Sequence, residues 1–142
     1  MSGDRVAVVD VGSNSTRLFL CEGVSANGPE GERVTTITAL KRGATPDGTI
    51  APDALERLGA CLDDYADRIA EFDSEEVIAI GTSAVRDAPN RDDVAALVDD
   101  RLGVDLRILA GAHEAELSYF GARLAVAGEG PVVVVDIGGG ST

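Results

Sequence analysis

Lysine is almost missing from this chain: Lys41 is the only one among 12 basic residues, which face 25 acids. The resulting formal charge of −13 excludes a broad nucleic-acid surface, because binding to phosphates needs clustered Lys and Arg. It also repels other polyanions unless the path they follow is locally basic. No apolar run is long enough to span a membrane. No charged-then-apolar leader opens the chain, since Asp4 and Arg5 run straight into the strand-like Val6-Ala7-Val8-Val9. The two cysteines, Cys21 in a strand pattern and Cys61 in a helix pattern, read as plain buried thiols in a reducing, cytoplasmic setting. Aromatics make up only 4% of the chain, and the abundant Val, Ala, Leu and Ile suit a Val-rich sheet covered by helices.

The 142 residues amount to one domain with a core of ordinary size. Residues 5–11 read as a buried strand that turns at Gly12-Ser13-Asn14-Ser15 into a second strand, Thr16 to Glu22, so the pair forms a hairpin. A polar connection from Gly23 to Glu32 leads to a third strand, Val34 to Leu40. Pro52 then opens a helix over Asp53 to Phe72, whose Leu55, Leu58, Leu62, Tyr65, Ile69 and Phe72 recur every three or four residues. A buried strand over Glu76 to Ile80, a helix over Asp92 to Leu102 closed by Gly103, and a strand at Leu106 to Leu109 follow. A helix over Glu114 to Val126 carries Leu117, Phe120, Gly121 and Leu124 on one stripe, and a last strand covers Val132 to Val135. The order β-β-β-α-β-α-β-α-β fits a mixed sheet flanked by helices.

Two loops share one design. Asp10-Val11-Gly12-Ser13-Asn14-Ser15 follows the first strand, and Asp136-Ile137-Gly138-Gly139-Gly140-Ser141-Thr142 follows the last. In each, an Asp closes a Val-rich strand and a Gly/Ser turn follows. Glycines let backbone N–H groups approach an anion, hydroxyls add donors, and the Asp can hold a hydrated cation or a water. A single such loop is equally well a hairpin turn with a capping Asp. Two of them point to phosphate handling.

Between the loops lie Gly81-Thr82-Ser83-Ala84-Val85-Arg86-Asp87-Ala88, rich in hydroxyls, and Ile108-Leu109-Ala110-Gly111-Ala112-His113-Glu114-Ala115. Glu114 falls in the first turn of a helix, where a carboxylate also simply favours the helix dipole. Arg86 beside Asp87 also reads as a solvated surface pair. With the two glycine loops, these segments resemble the Ppx/GppA family of phosphohydrolases, and the likeness runs from about Val6 to Thr142. Kinase and chaperone relatives in the actin-like superfamily share the two loops but not the Thr-Ser-Ala-Val-Arg segment.

The resemblance implies an α/β fold: the ribonuclease-H-like (actin-like) N-terminal lobe of a two-lobed phosphohydrolase, spanning residues 1–142. Its mixed five-stranded sheet would begin with three antiparallel strands and be flanked by helices. It implies Glu114 as the catalytic base. Ser13, Asn14, Ser15, Arg86, Gly138, Gly139, Gly140 and Ser141 would bind phosphate, and Asp136 with Asp10 would stand near Mg2+. The implied substrate is inorganic polyphosphate, shortened one phosphate at a time, or guanosine pentaphosphate. Partners would include neither nucleic acid nor membrane, and the full-length form would be a homodimer. An ATP-binding kinase- or chaperone-like module and a polyphosphate or alarmone sensor without turnover stay open as alternatives. His113, the sole histidine, reads as a neighbour of Glu114, and Glu116 as a solvated residue facing away from it. Where the family often carries Arg-Leu-Gly, this chain has Lys41-Arg42-Gly43. The family's further metal-holding glutamate and opposing lobe would follow Thr142.

Overall fold

In the computed structural model, residues 5–25, 28–126 and 130–138 are described. Five strands and four helices follow in the order β1 (Arg5–Val11), β2 (Thr16–Ser25), β3 (Gly28–Thr36), α1 (Pro52–Phe72), β4 (Glu76–Gly81), α2 (Ser83–Arg86), α3 (Arg91–Leu102), β5 (Leu106–Ile108) and α4 (Gly111–Ala125). The strands form one mixed sheet in the order β3-β2-β1-β4-β5. β1 to β3 are antiparallel neighbours, and β4 joins β1 in parallel, as β5 joins β4. Among the described residues no helix is long and apolar enough to cross a membrane.

Strand alternation sorts β1 into two faces. Ala7, Val9 and Val11 are fully buried and pack with Leu18, Leu20, Ala79 and the α1 residues Leu58, Leu62 and Tyr65. Asp10 lies between them in sequence and so points to the other face. α3 adds Val94 and Val98 to the same core. α1 begins at Pro52, whose missing N–H costs nothing at a helix start. Its Tyr65 is wholly buried, and the hydroxyl donates to Thr16 O at 2.8 Å and lies 3.1 Å from Thr36 Oγ1. That contact ties the helix to β2 and β3 at once, and burial pushes the phenol up to about 12.

The structure adds the short helix α2, absent from the expected order, and departs from the sequence reading in three further places. β3 runs over Gly28–Thr36, not Val34 to Leu40, and so takes up much of the expected polar connection. Composition misleads there because this is an edge strand, where Pro29 and Gly31 are tolerated. Gly31 is required by contact: a Cβ on it would lie 1.9 Å from Leu20 O. The segment expected as a sixth strand, Val132 to Val135, pairs with no described strand, and Val133 and Val135 are 89% and 68% exposed. A continuous apolar run becomes a strand only where a sheet edge receives it, and among the described residues neither edge does. Finally, the apolar stripe of α4 is not buried: Leu117, Phe120 and Leu124 stay exposed. Nothing among the described residues covers them.

Replacing Tyr65 with Phe should destabilise the fold by about 1–2 kcal/mol, the scale of a buried hydrogen bond whose acceptor is left unmet. Denaturant unfolding checks this, and an unchanged midpoint would remove the tyrosine from its tethering role.

Candidate active site

The hairpin turn between β1 and β2 is built so that little else fits. Gly12 N donates to Ser15 O at 3.1 Å, and a Cβ at Gly12 would lie 2.8 Å from that same oxygen. The turn is then pinned from outside. Ala39 N donates to Asn14 O at 2.9 Å and Lys41 N to Ser13 O at 3.4 Å. Arg57 of α1 holds the pinning segment in turn, donating to Thr38 O at 2.9 Å and Ala39 O at 3.2 Å. Ala39 has φ 48, a left-handed conformation that a non-glycine residue keeps only when its surroundings fix it.

Beside this turn, at the C-terminal ends of β1 and β4, opens a cleft of about 510 Å³. Asp10, Ser13, Asn14, Ser15 and Arg17 line one wall, Thr82 and Ser83 the floor, and Glu114, Leu117 and Ser118 the wall made by α4. Asp136, Ile137 and Gly138 close it on the remaining side. The Oγ atoms of Ser13 and Ser83 are 3.3 Å apart and buried, which joins the turn to the segment after β4.

Three carboxylates meet here. Asp10 Oδ1 is buried with no hydrogen-bond partner, while Oδ2 lies 3.8 Å from Arg17 Nη1. Burial raises the Asp10 pKa most; Arg17 opposes this, and the charges of Glu114 and Asp136 add to the rise. Asp136 Oδ2 accepts from Ser118 Oγ at 2.9 Å. Glu114 Oε2 is held by Arg86 Nη1 at 3.0 Å, with the side chains only 22% and 27% exposed. The same Nη1 donates to Leu109 O at 2.9 Å, and Arg86 Nε lies 3.3 Å from Asp87 Oδ1.

The residues singled out from sequence therefore fall into four groups. Asp10, Ser13, Asn14, Ser15, Glu114, Asp136 and Gly138 converge on one cleft. Arg86 does not line it; its guanidinium stands behind Glu114 and fixes that carboxylate. Gly139, Gly140 and Ser141 lie outside the described residues. His113 and Glu116 are exposed and line no part of the cleft. Two wall residues escaped the sequence reading. Arg17 was findable, because the hairpin register places it directly across from Asp10. Ser118 was findable too, one helical turn after Glu114 and so on the same face.

Among the described residues no three metal-ligating side chains are grouped closely enough to hold an ion by themselves. An open, buried carboxylate oxygen on Asp10, with Asp136 on the facing wall, nonetheless fits Mg2+. That ion favours hard oxygens and is commonly bound through one or two carboxylates with waters and substrate phosphates completing the shell.

A family model described as the Ppx/GppA phosphatase family matches residues 31–142. The chain belongs to this family. It is 42% identical over 154 residues to exopolyphosphatase 2 of Mycobacterium tuberculosis, covering all of this chain and 48% of that protein. It is 31% identical over 136 residues to the guanosine-5'-triphosphate,3'-diphosphate pyrophosphatase of Photobacterium profundum, covering 96% of this chain and 27% of the relative. The chain thus spans less than half the length of these relatives. Among solved structures it is similar to a Ppx-GppA enzyme of Aquifex aeolicus, with TM-score 0.79 and 27% identity over 89% of this chain and 42% of that one. An exopolyphosphatase from Cytophaga hutchinsonii gives TM-score 0.78 and 27% identity over 84% and 38%. The sheet order and its flanking helices are those of the actin-like fold that this Ppx/GppA chain was expected to have.

Ionised Asp10 bears a burial cost in the native state that the unfolded chain does not bear. Stability should therefore fall as pH rises from the ordinary Asp value through the raised native one. Asp10→Asn is expected to stabilise the protein by about 1 kcal/mol at neutral pH in magnesium-free buffer, the scale of one unmet buried acceptor. The gain should shrink in acid. Thermal unfolding at two pH values checks it, and a variant less stable at both would contradict this account of Asp10.

Proposed function

We propose that this chain is the catalytic N-terminal lobe of an exopolyphosphatase, which hydrolyses the terminal phosphoanhydride of inorganic polyphosphate and releases orthophosphate. One observation carries the reading: a carboxylate locked in place by an arginine, Glu114, faces the same cleft as the hydroxyl turn and the open oxygen of Asp10. The family membership and the 42% identity to an exopolyphosphatase support it.

In this reading Ser13, Asn14 and Ser15 donate hydrogen bonds to the terminal phosphate, and Arg17 faces its charge. Glu114 takes a proton from water as the water oxygen bonds to the terminal phosphorus. The bond from that phosphorus to the bridging oxygen breaks, leaving orthophosphate and a chain one unit shorter. Arg86 keeps the Glu114 carboxylate aimed through its 3.0 Å contact. Mg2+, when held by Asp10 and Asp136, supplies neutralisation of the negative charge on the transferring phosphoryl group. Gly138 offers a backbone N–H group from the opposite wall. The buried free thiols of Cys21 and Cys61 support a reducing, cytoplasmic setting. A second substrate, guanosine pentaphosphate, is favoured by the likeness to the Photobacterium relative; it would present the same terminal phosphoanhydride to the same residues.

In the full-length protein that carries this chain, Glu114→Gln should lower kcat on polyphosphate by about 10²–10⁴-fold, the usual contribution of a general base. Polyphosphate binding should be retained. Phosphate-release kinetics beside equilibrium binding read both quantities, and undiminished turnover would remove Glu114 from the role of base.

A further inference from the structure

In a chain this acidic, cations left without partners are informative. Among the described residues Arg5, Arg17, Arg57, Arg68, Arg86 and Arg101 are in ion pairs, and Arg33 lies over the Phe19 ring at 4.3 Å. Arg91 and Arg107 likewise have no ion pair but each stands singly in the sequence, whereas Lys41 and Arg42 form a pair. They are adjacent and exposed, and no ion pair or side-chain hydrogen bond engages either. Two neighbouring cations repel each other, and no ion pair offsets that here.

Their placement is fixed. Lys41 N is bonded to Ser13 O, and Arg42 N to Ala39 O at 2.9 Å, so the backbone of this pair is continuous with the hydroxyl turn. The Arg57 contacts to Thr38 O and Ala39 O hold the segment from the α1 side. Lys41 also lines a hollow of about 260 Å³ with Ala84 and Asp87. This hollow adjoins the main cleft at the Ser13–Ser83 contact, because Lys41 bonds Ser13 and Ala84 follows Ser83. Asp87 is its one acid, and Arg86 Nε lies 3.3 Å from that carboxylate.

We propose that Lys41 and Arg42 form a second anion subsite, which receives phosphate units of a polyphosphate chain beyond the one being cleaved. The inference rests on the exopolyphosphatase reading and narrows it to long-chain substrates. The hydroxyl turn takes the terminal unit, and the rigid 39–42 turn carries the next stretch of chain away over the Ser13–Ser83 divide. A substrate with few phosphates ends before the pair. A long chain reaches it and releases counterions there, which makes the added affinity sensitive to salt.

The test uses the full-length protein and the variants K41A/R42A and K41E/R42E. Exposed, unpartnered side chains leave the fold indifferent to these changes. End-labelled long-chain polyphosphate is bound at two salt concentrations, and phosphate release is followed on long-chain polyphosphate and on tripolyphosphate. For K41A/R42A, Kd and KM for the long chain should rise roughly ten-fold at low salt, with a shallower salt dependence. Values for kcat and for the tripolyphosphate KM should stay within about two-fold, and charge reversal should weaken the long chain further. Unchanged long-chain affinity beside normal turnover overturns the subsite and leaves the exopolyphosphatase reading intact. An equal rise in KM for tripolyphosphate also overturns it, because the loop would then be acting on the cleft itself. Wild type that binds long chains through this pair without releasing phosphate would instead sink the exopolyphosphatase reading and keep the subsite.

Discussion

Everything at this site depends on one electrostatic constraint, the crowding of Asp10, Glu114 and Asp136 around a single cleft. Each of the other two charges raises the pKa of Asp10, whose own burial raises it most. One of its oxygens is left with no partner. Such an arrangement costs stability, and folding alone offers no reason for it. It becomes intelligible when the cleft is meant to hold positive charge alongside a phosphate. The surrounding hydrogen bonds then read as restraints: Arg86 fixes Glu114, Ser118 fixes Asp136, and Arg17 partly offsets Asp10.

The fold delivers these groups through simple parity. Along β1 the buried Val9 and Val11 face α1 and α3, which leaves Asp10 to face α4. α4 places Glu114 and Ser118 one turn apart on the side that looks back at the sheet. Arg57 reaches from α1 to the 38–39 turn, and that turn reaches the hydroxyl turn, so core packing sets the position of the hydroxyl turn.

Much of this was legible in the sequence because it rests on local pattern. The Val-rich first strand, the long α1 stripe, the proline at its start and the Asp-then-Gly/Ser turn all state their structure within a few residues. The parts that misled depend on partners distant in sequence. Gly28 to Arg33 looks like loop until β2 supplies a ladder, and Val132 to Val135 looks like a strand although no sheet edge receives it. Arg86 is the most instructive case. Its motif suggests a phosphate ligand, and its hydrogen bonds to Glu114 and Leu109 show that it also holds another residue in place. No sequence signal announces the contact between Arg86 and Glu114, which are 28 residues apart.

The charge pattern follows the same logic. A net charge of −13 disfavours polyanions over most of the surface, so locally placed cations matter for any anion that approaches. The most direct measurement is orthophosphate release from long-chain polyphosphate by the full-length protein, titrated with Mg2+ and reversed by EDTA. The crowded carboxylates predict release that rises with Mg2+ and is abolished by chelation. Release indifferent to both, or none at any magnesium concentration, would contradict the account.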